Sequence, residues 1–253
     1  MAEQKVVIVT GAGSGMGAAT AKRFAKDGYK VVINGRTQSK LQKVADEIGG
    51  DEVLIVAGDI SNPEDAANIV QQTIDSFGRL DVLVNNAAIA IFSAIEDLSL
   101  EDWNKQLSIN TTGPFLMIKN AISHLEKSKG SIVNVSSVSG LGGDWNGFAY
   151  DATKGAVNIM TQALALDFAA KGVRVNAVAP SLTDTDMAAM VTQDPETLEK
   201  FKTRIAMKRV GQPEEVADVI AFLASHDARF VTGTILPVDG GLSASNGQPN
   251  MSE

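Results

Sequence analysis

Residues 5–17 read KVVIVTGAGSGMG. A β-branched run passes directly into a glycine loop, and GAATAKRFAKDG (17–28) then carries apolar residues at helical spacing. Strand, glycine loop and helix in that order are the context a nucleotide-binding βαβ unit requires. Gly11, Gly15 and Gly17 would let backbone come close to a ligand and to the strand, while the free N–H groups of the helix start would face a phosphate. Without that context the glycines would indicate only a tight strand–helix turn.

The alternation continues along the chain. Strand candidates are 5–10, 30–34, 52–57, 80–85, 131–136, 173–178 and 234–239. Amphipathic stretches such as PEDAANIVQQTIDSFG and AVNIMTQALALDFAAKG lie between them, and Gly28, Gly78 and Gly172 stand where C-caps belong. The strands are continuous apolar runs, as strands buried on both faces are. The pattern predicts an α/β doubly wound Rossmann fold: a parallel sheet of about seven strands with helices on both faces. No linker or composition break divides it, so one domain over 1–253 is expected, with an irregular segment at 181–212.

Composition narrows the function classes. The 253 residues carry a net charge of −8, which disfavours a nucleic-acid binder. With no cysteine, disulfides, thiolate zinc sites and cysteine nucleophiles are excluded. The start of the chain lacks the long apolar core of a secretory signal, and no apolar run approaches the roughly 18 residues of a membrane span. A cytoplasmic, soluble protein is expected. The two histidines, His124 and His226, sit near helix ends, and no Ser–His–Asp arrangement supports a hydrolase.

The adenosine end of a dinucleotide site is legible at the second strand. A fold that prefers NAD places a carboxylate there, on the ribose 2′-hydroxyl. This chain has Asn34-Gly35-Arg36-Thr37. No carboxylate repels a 2′-phosphate, and the planar fork of Arg36 could grip one, which favours NADP(H) over NAD(H). Arg36 could equally be a solvated strand-end residue. Asp59 fits an adenine contact, or a cap for the next helix.

Tyr150 and Lys154 in FAYDATKGAV (148–157) are four residues apart on one helical face. A phenol of pKa about 10 is a poor acid–base catalyst near neutrality unless a cation lowers it. Y-x-x-x-K arises by chance on many helices. Here, however, Ser136 and Ser137 end the fifth strand and Asn85-Asn86-Ala87-Ala88 ends the fourth, at the sheet edge where open α/β folds place chemistry. Asn110, in LSINTTGPF, stands in a helical region where it has no packing role.

Together TGAGSGMG, the Asp59 turn, NNAA, Asn110, Ser137, Tyr150-x-x-x-Lys154, the Pro180 loop with Thr185, and VDGG (238–241) resemble the single-domain short-chain dehydrogenase/reductases over essentially the whole chain. Two small departures are NNAA for the commoner NNAG, and Pro180-Ser181 for the commoner PG. The resemblance implies that Tyr150 is the acid in carbonyl reduction and the base in alcohol oxidation. Lys154 would lower the phenol's pKa and hold the nicotinamide ribose. Ser137 would bond the substrate oxygen, Ser136 facing away, and Asn110 would fix a water that links Lys154 to solvent. It also implies cofactor contacts at Ser14, Met16, Ile60, Asn86, Ala87, Pro180, Thr183 and Thr185. No metal is needed.

The stretch 138–149 and a lid at 184–208 should border the substrate, with Leu141, Trp145, Phe148, Met187 and Met190 suggesting an apolar pocket. SVSGLGGDW (137–145) and GLSASNGQPN (241–250) are similar to segments of acetoin reductases (2,3-butanediol dehydrogenases), which implies small ketones, diketones and diols as substrates. The lid cations Lys200, Lys202, Arg204, Lys208 and Arg209 keep a 3-oxoacyl thioester reductase open as the alternative. A non-catalytic dinucleotide-binding regulator ranks lower, because Ser137, Tyr150 and Lys154 are all present. The resemblance further implies a homotetramer, less often a dimer, built on helices near 99–126 and 150–170 and on the last strand. The tail ASNGQPNMSE (244–253) is too polar for a core; it could cap a neighbouring subunit's pocket or lie loose.

Overall fold

The computed structural model describes residues 4–248, so the last five residues of the tail lie outside the described residues. All seven expected strands form: β1 (Val6–Val9), β2 (Lys30–Gly35), β3 (Val53–Ala57), β4 (Val82–Asn85), β5 (Ser131–Val135), β6 (Arg174–Pro180) and β7 (Ile235–Val238). They make one parallel sheet in the order β3-β2-β1-β4-β5-β6-β7. Val7 pairs with Val31 on one side and Val82 on the other. The chain runs outward from β1 to β3, then returns to place β4 on the far side of β1. That reversal opens a crevice at the C-terminal ends of β1 and β4.

The side-chain alternation of β1 shows why the run is apolar throughout. Val7 and Val9 enter one core and Val6 and Ile8 the other, and all four are fully buried. The first core is closed by α1 (Gly15–Lys26), α2 (Gln38–Ile48) and α9 (Pro213–Ala224). The second is closed by α3 (Pro63–Phe77), α5 (Gly113–Ser128) and one face of α6 (Phe148–Phe168). Fully buried side chains such as Phe24, Leu83 and Ile132 contribute about 1.5–3 kcal/mol each.

The local signals act as expected. Asn62 caps α3 by accepting from the N–H groups of Glu64 and Asp65, Pro63 opens the helix, and Gly78 ends it at φ 73°. Gly28 and Gly172 likewise take positive φ after their helices. Pro237 sits on the edge strand β7, where its missing N–H costs least.

A buried polar chain sets α6 against the sheet. Asn85 Nδ2 donates to Asn134 Oδ1 (2.9 Å), and Asn134 Nδ2 donates to Thr161 Oγ1 (2.9 Å). These bonds tie β4 and β5 to the helix that carries Tyr150. Between α4 (Leu100–Leu107) and α5, residues Ser108–Thr112 form a π-turn, a widening that is frequent at functional sites. The irregular segment after β6 contains a 3₁₀ turn (Asp186–Ala188), α7 (Ala189–Thr192) and α8 (Pro195–Arg204), closed by a bridge from Thr183 to Gly211.

Candidate active site

A cleft of about 270 Å³ lies along the strand ends, from Arg36, Lys40 and Asp59 at one extreme to Tyr150, Lys154, Thr185 and Met187 at the other. Its floor is the glycine loop. A Cβ on Gly17 would collide with the Gly11 carbonyl oxygen and the Asn86 side chain, and one on Gly11 would stand 2.8 Å from Ala87 Cα. Thr10 Oγ1 accepts from the N–H groups of Asn86 (3.0 Å) and Ala87 (3.1 Å), which fastens NNAA to the loop. Asn86 Nδ2 in turn donates to the carbonyls of Thr10 and Gly11. The Asn86 side chain thus holds the loop, and the residue borders the cleft from there.

The start of α1 is open to an anion. Ser14 makes no side-chain cap bond, and the first turn holds no acidic residue. The free N–H groups and the positive end of the dipole therefore face the cleft uncompensated. At the far end Arg36 is exposed and has no partner among the described residues. Asn34, next to last in β2, is fully buried, its Nδ2 donating to Val56 O and Gly58 O. Asp59 caps no helix: Asn62 does that, while Asp59 Oδ1 accepts from the Ser61 N–H and hydroxyl. A glycine cradle that a Cβ would fill, an open helix start and an unpaired cation together fit a nicotinamide dinucleotide.

At the other end Lys154 is buried, and its ammonium donates to Val135 O (2.8 Å) while lying 5.6 Å from the centre of the Tyr150 ring. Desolvation brings the lysine's pKa down to about 8. The phenol moves the opposite way. Burial raises Tyr150 to about 12, the Ser137 hydroxyl opposes the rise, and Asp144 and Asp151 add to it. The lowering of the phenol by Lys154 that the resemblance implies is therefore not found in the protein by itself. The ammonium is aimed at a backbone carbonyl and is itself poorly solvated.

Ser137 is buried beside Tyr150; its hydroxyl donates to Ser139 Oγ (3.0 Å) and accepts the Ser139 N–H (3.1 Å). Ser136 points its hydroxyl back to Lys154 O (3.3 Å) yet still borders the cleft. The Asn110 side chain is fully engaged: Oδ1 accepts the Ile89 N–H (2.9 Å), and Nδ2 donates to Ile89 O (2.8 Å) and Thr153 Oγ1 (3.1 Å). Asn110 thus locks the π-turn to α6 one residue before Lys154. It does not itself border the cleft.

Gly11, Ser14, Gly15, Met16, Gly17, Arg36, Asp59, Ile60, Asn86, Ala87, Tyr150, Lys154 and Thr185 all border the cleft. Pro180 and Thr183 do not; Pro180 closes β6, and Thr183 Oγ1 donates to Ser181 O. Of the five apolar residues expected around the substrate, only Met187 borders it. Trp145 and Met190 are 97% and 92% exposed, Phe148 stacks on Trp103 with ring centres 5.6 Å apart, and Leu141 is exposed. Lys40 borders the cleft from α2, unsignalled by any sequence pattern. Among the described residues no group of His, Asp and Glu could hold a metal.

Comparison with known proteins agrees with this geometry. A family described as enoyl-(acyl carrier protein) reductase matches residues 11–243. Meso-2,3-butanediol dehydrogenase of Serratia marcescens is 43% identical over 98% of each chain. Glucose 1-dehydrogenase of Gluconobacter oxydans (strain 621H) is 42% identical over 94% of this chain and 92% of its own. Among solved structures, a 3-ketoacyl-(acyl-carrier-protein) reductase from Brucella melitensis complexed with NADH superposes with a TM-score of 0.89, at 38% identity, over 95% of this chain and 99% of that one.

Proposed function

The chain belongs to the short-chain dehydrogenase/reductase family, and from that premise we propose that it interconverts a secondary alcohol and a ketone with a nicotinamide dinucleotide as hydride partner. One observation carries the proposal: Tyr150 and Lys154, with Ser137 beside the phenol, stand at the end of a cleft whose other end is a glycine cradle under an open helix N-terminus, and Ser137 itself does not border that cleft. The dinucleotide, when bound, supplies the hydride chemistry. The protein's residues bind, orient and move a proton. The glycine loop and the α1 N-terminus would hold the phosphates, Thr185 would orient the nicotinamide end, and Lys154 Nζ would bond the ribose. The protonated Tyr150 phenol gives its proton to the carbonyl oxygen during reduction and takes one back during oxidation, while Ser137 Oγ, turned from Ser139, holds that oxygen in place.

We propose NADP(H) over NAD(H), because Arg36 stands unpaired at the adenosine end with Lys40 beside it on the cleft wall. The preferred substrates are small ketones, diketones and vicinal diols, in keeping with the likeness to the Serratia enzyme. The alternative is a 3-oxoacyl thioester reductase, which the likeness to the Brucella enzyme favours. Carrier-protein docking would need free lid cations. Lys200 is paired with Glu196, Lys202 with Glu199, and Arg209 forks onto Glu215, so these three are satisfied within the chain. A regulator that binds the cofactor without turnover ranks last.

The protein is further proposed to be a single cytoplasmic domain, without nucleic-acid or membrane partners, that assembles as a homotetramer. Exposed Phe115, Ile159 and Leu166 on α5 and α6 offer apolar area to a second copy. Among the described residues no helix is long and apolar enough to cross a membrane. The test is oxidation of meso-2,3-butanediol and reduction of diacetyl and an acetoacetyl thioester, with both cofactors. Diacetyl turnover preferring NADPH, with that preference lost in Arg36→Ala, supports the proposal. Thioester-only turnover would promote the alternative, and NADH preference would remove Arg36 from cofactor choice.

A further inference from the structure

We propose that Phe92 sets the size of the substrate, as an apolar wall beside the Tyr150 ring that Gln106 holds in place. The proposal rests on the ketone–alcohol reading above.

The cleft ends at Tyr150 without supplying that wall. Tyr150, Lys154 and Ile89 border it, whereas Ser137 and Phe92 do not. A carbonyl oxygen that meets both the phenol and Ser137 therefore lies past the end of the cleft, and its substituents reach into the space beside the phenol ring. Phe92 stands there. Its ring centre is 5.8 Å from that of Tyr150, with the planes at 47°. The side chain is nonetheless 56% exposed. An aromatic ring that is partly packed on the reacting residue and partly open offers apolar contact to an alkyl group. Trp145 and Met190 stand almost wholly in solvent, and Phe148 is stacked on Trp103 instead.

The segment that carries Phe92 has no regular structure, yet two amide side chains fix it. Asn110 accepts the Ile89 N–H and donates to Ile89 O. Gln106, near the end of α4, repeats the arrangement two residues on: Oε1 accepts the Ile91 N–H (3.0 Å) and Nε2 donates to Ile91 O (3.2 Å). Each amide answers the donor and the acceptor of one backbone residue, as a neighbouring strand would. Both amides are buried, so water cannot take their place. On the other side of Phe92 the Ser93 N–H donates to Asn146 O (2.8 Å), and Asn146 takes φ 59°, a left-handed conformation that asparagine tolerates. Phe92 is thus pinned through both chain neighbours, Ile91 to α4 and Ser93 to the loop that joins Ser137 to Tyr150. The backbone under the ring cannot yield to a larger substituent without losing one of these bonds.

The consequence is discrimination by size on one side of the carbonyl. A methylene at an apolar wall changes kcat/KM by roughly 10- to 200-fold, and a half-exposed ring belongs at the low end of that range. If Phe92 only packed against Tyr150, its loss would lower kcat for every substrate alike.

The experiment measures steady-state reduction of diacetyl and of its diethyl homologue by the wild type, Phe92→Ala, Phe92→Leu, Gln106→Met and the double variant Phe92→Ala with Gln106→Met. Thermal unfolding shows which variants are folded, and cofactor affinity is measured for each. The wild type should favour diacetyl. The ratio of kcat/KM for the two diketones should shift toward the larger one by roughly ten-fold in Phe92→Ala, mainly through KM, with cofactor affinity unchanged. Phe92→Leu should fall between, and it decides the matter if the alanine variant does not fold. Gln106→Met should shift the ratio the same way and add nothing once Phe92 is alanine, because it acts through that ring. An unchanged ratio in the folded Phe92 variants, or an equal loss of kcat on both diketones, would overturn the wall while leaving the ketone–alcohol reading in place. Additive effects in the double variant would overturn the role of Gln106. A wild type that turns over neither alcohol nor ketone would overturn the functional reading itself.

Discussion

Replacing Lys154 by methionine should make the protein more stable while abolishing its turnover. The lysine is 3% exposed, and burial brings its pKa from 10.5 to about 8. That lowering corresponds to about 3 kcal/mol, borne in full below about pH 8, where the folded chain must bury an ammonium. Methionine fills a similar volume without charge. It loses the bond to Val135 O, which costs about 1 kcal/mol. The net gain near pH 7 is then about 2 kcal/mol, or about 4–8 °C in Tm for a chain of this size. The sign can be tested through pH. Between about 8 and 10.5 the unfolded lysine holds its proton and the folded one does not, so wild-type stability rises with pH from this group. The gap between variant and wild type should close over that window. Urea unfolding followed by circular dichroism, from near neutral pH to about pH 10, measures both. A variant less stable than wild type near pH 7, or a gap that does not change with pH, would refute the reasoning.

Gly17→Ala should abolish dinucleotide binding in a calorimetric titration, since its Cβ would drive into the Gly11 carbonyl and Asn86 and push the loop out of place. Unchanged affinity would remove the glycine cradle from the site. Because burial holds the Tyr150 phenol at about 12, alcohol oxidation should climb with pH by roughly ten-fold per unit near neutrality, while ketone reduction stays flat, as steady-state profiles in both directions would show. An oxidation optimum on the acid side of neutrality would contradict that charge state.

The fold was legible because each strand is buried on both faces and so appears as an unbroken apolar run. β1 was expected at 5–10 and spans Val6–Val9; β5 was expected at 131–136 and spans Ser131–Val135. The glycine loop and the Tyr150–Lys154 pair were legible because their spacing is local, fixed by one turn of helix. What escaped depends on contacts between distant segments or on solvation. Asp144 carries no signal in the sequence; only the fold of 138–147 brings it onto Ser139. Lys40 reaches the cleft because α2 packs beside β2, which no spacing reveals. The direction of the Tyr150 shift follows from burial and from where the Lys154 ammonium points, and sequence proximity to a cation suggested the opposite sign. Trp145 and Met190 were grouped with a pocket for their apolar character, yet each stands almost wholly in solvent.

The most direct measurement is the absorbance of reduced nicotinamide during diacetyl reduction by the wild type and by Tyr150→Phe, with cofactor affinity of both measured by fluorescence. Turnover by the wild type, a loss of 100-fold or more in the variant, and near-equal cofactor affinity are the predicted result. Wild-type turnover in Tyr150→Phe would contradict the assignment of Tyr150 as the proton donor.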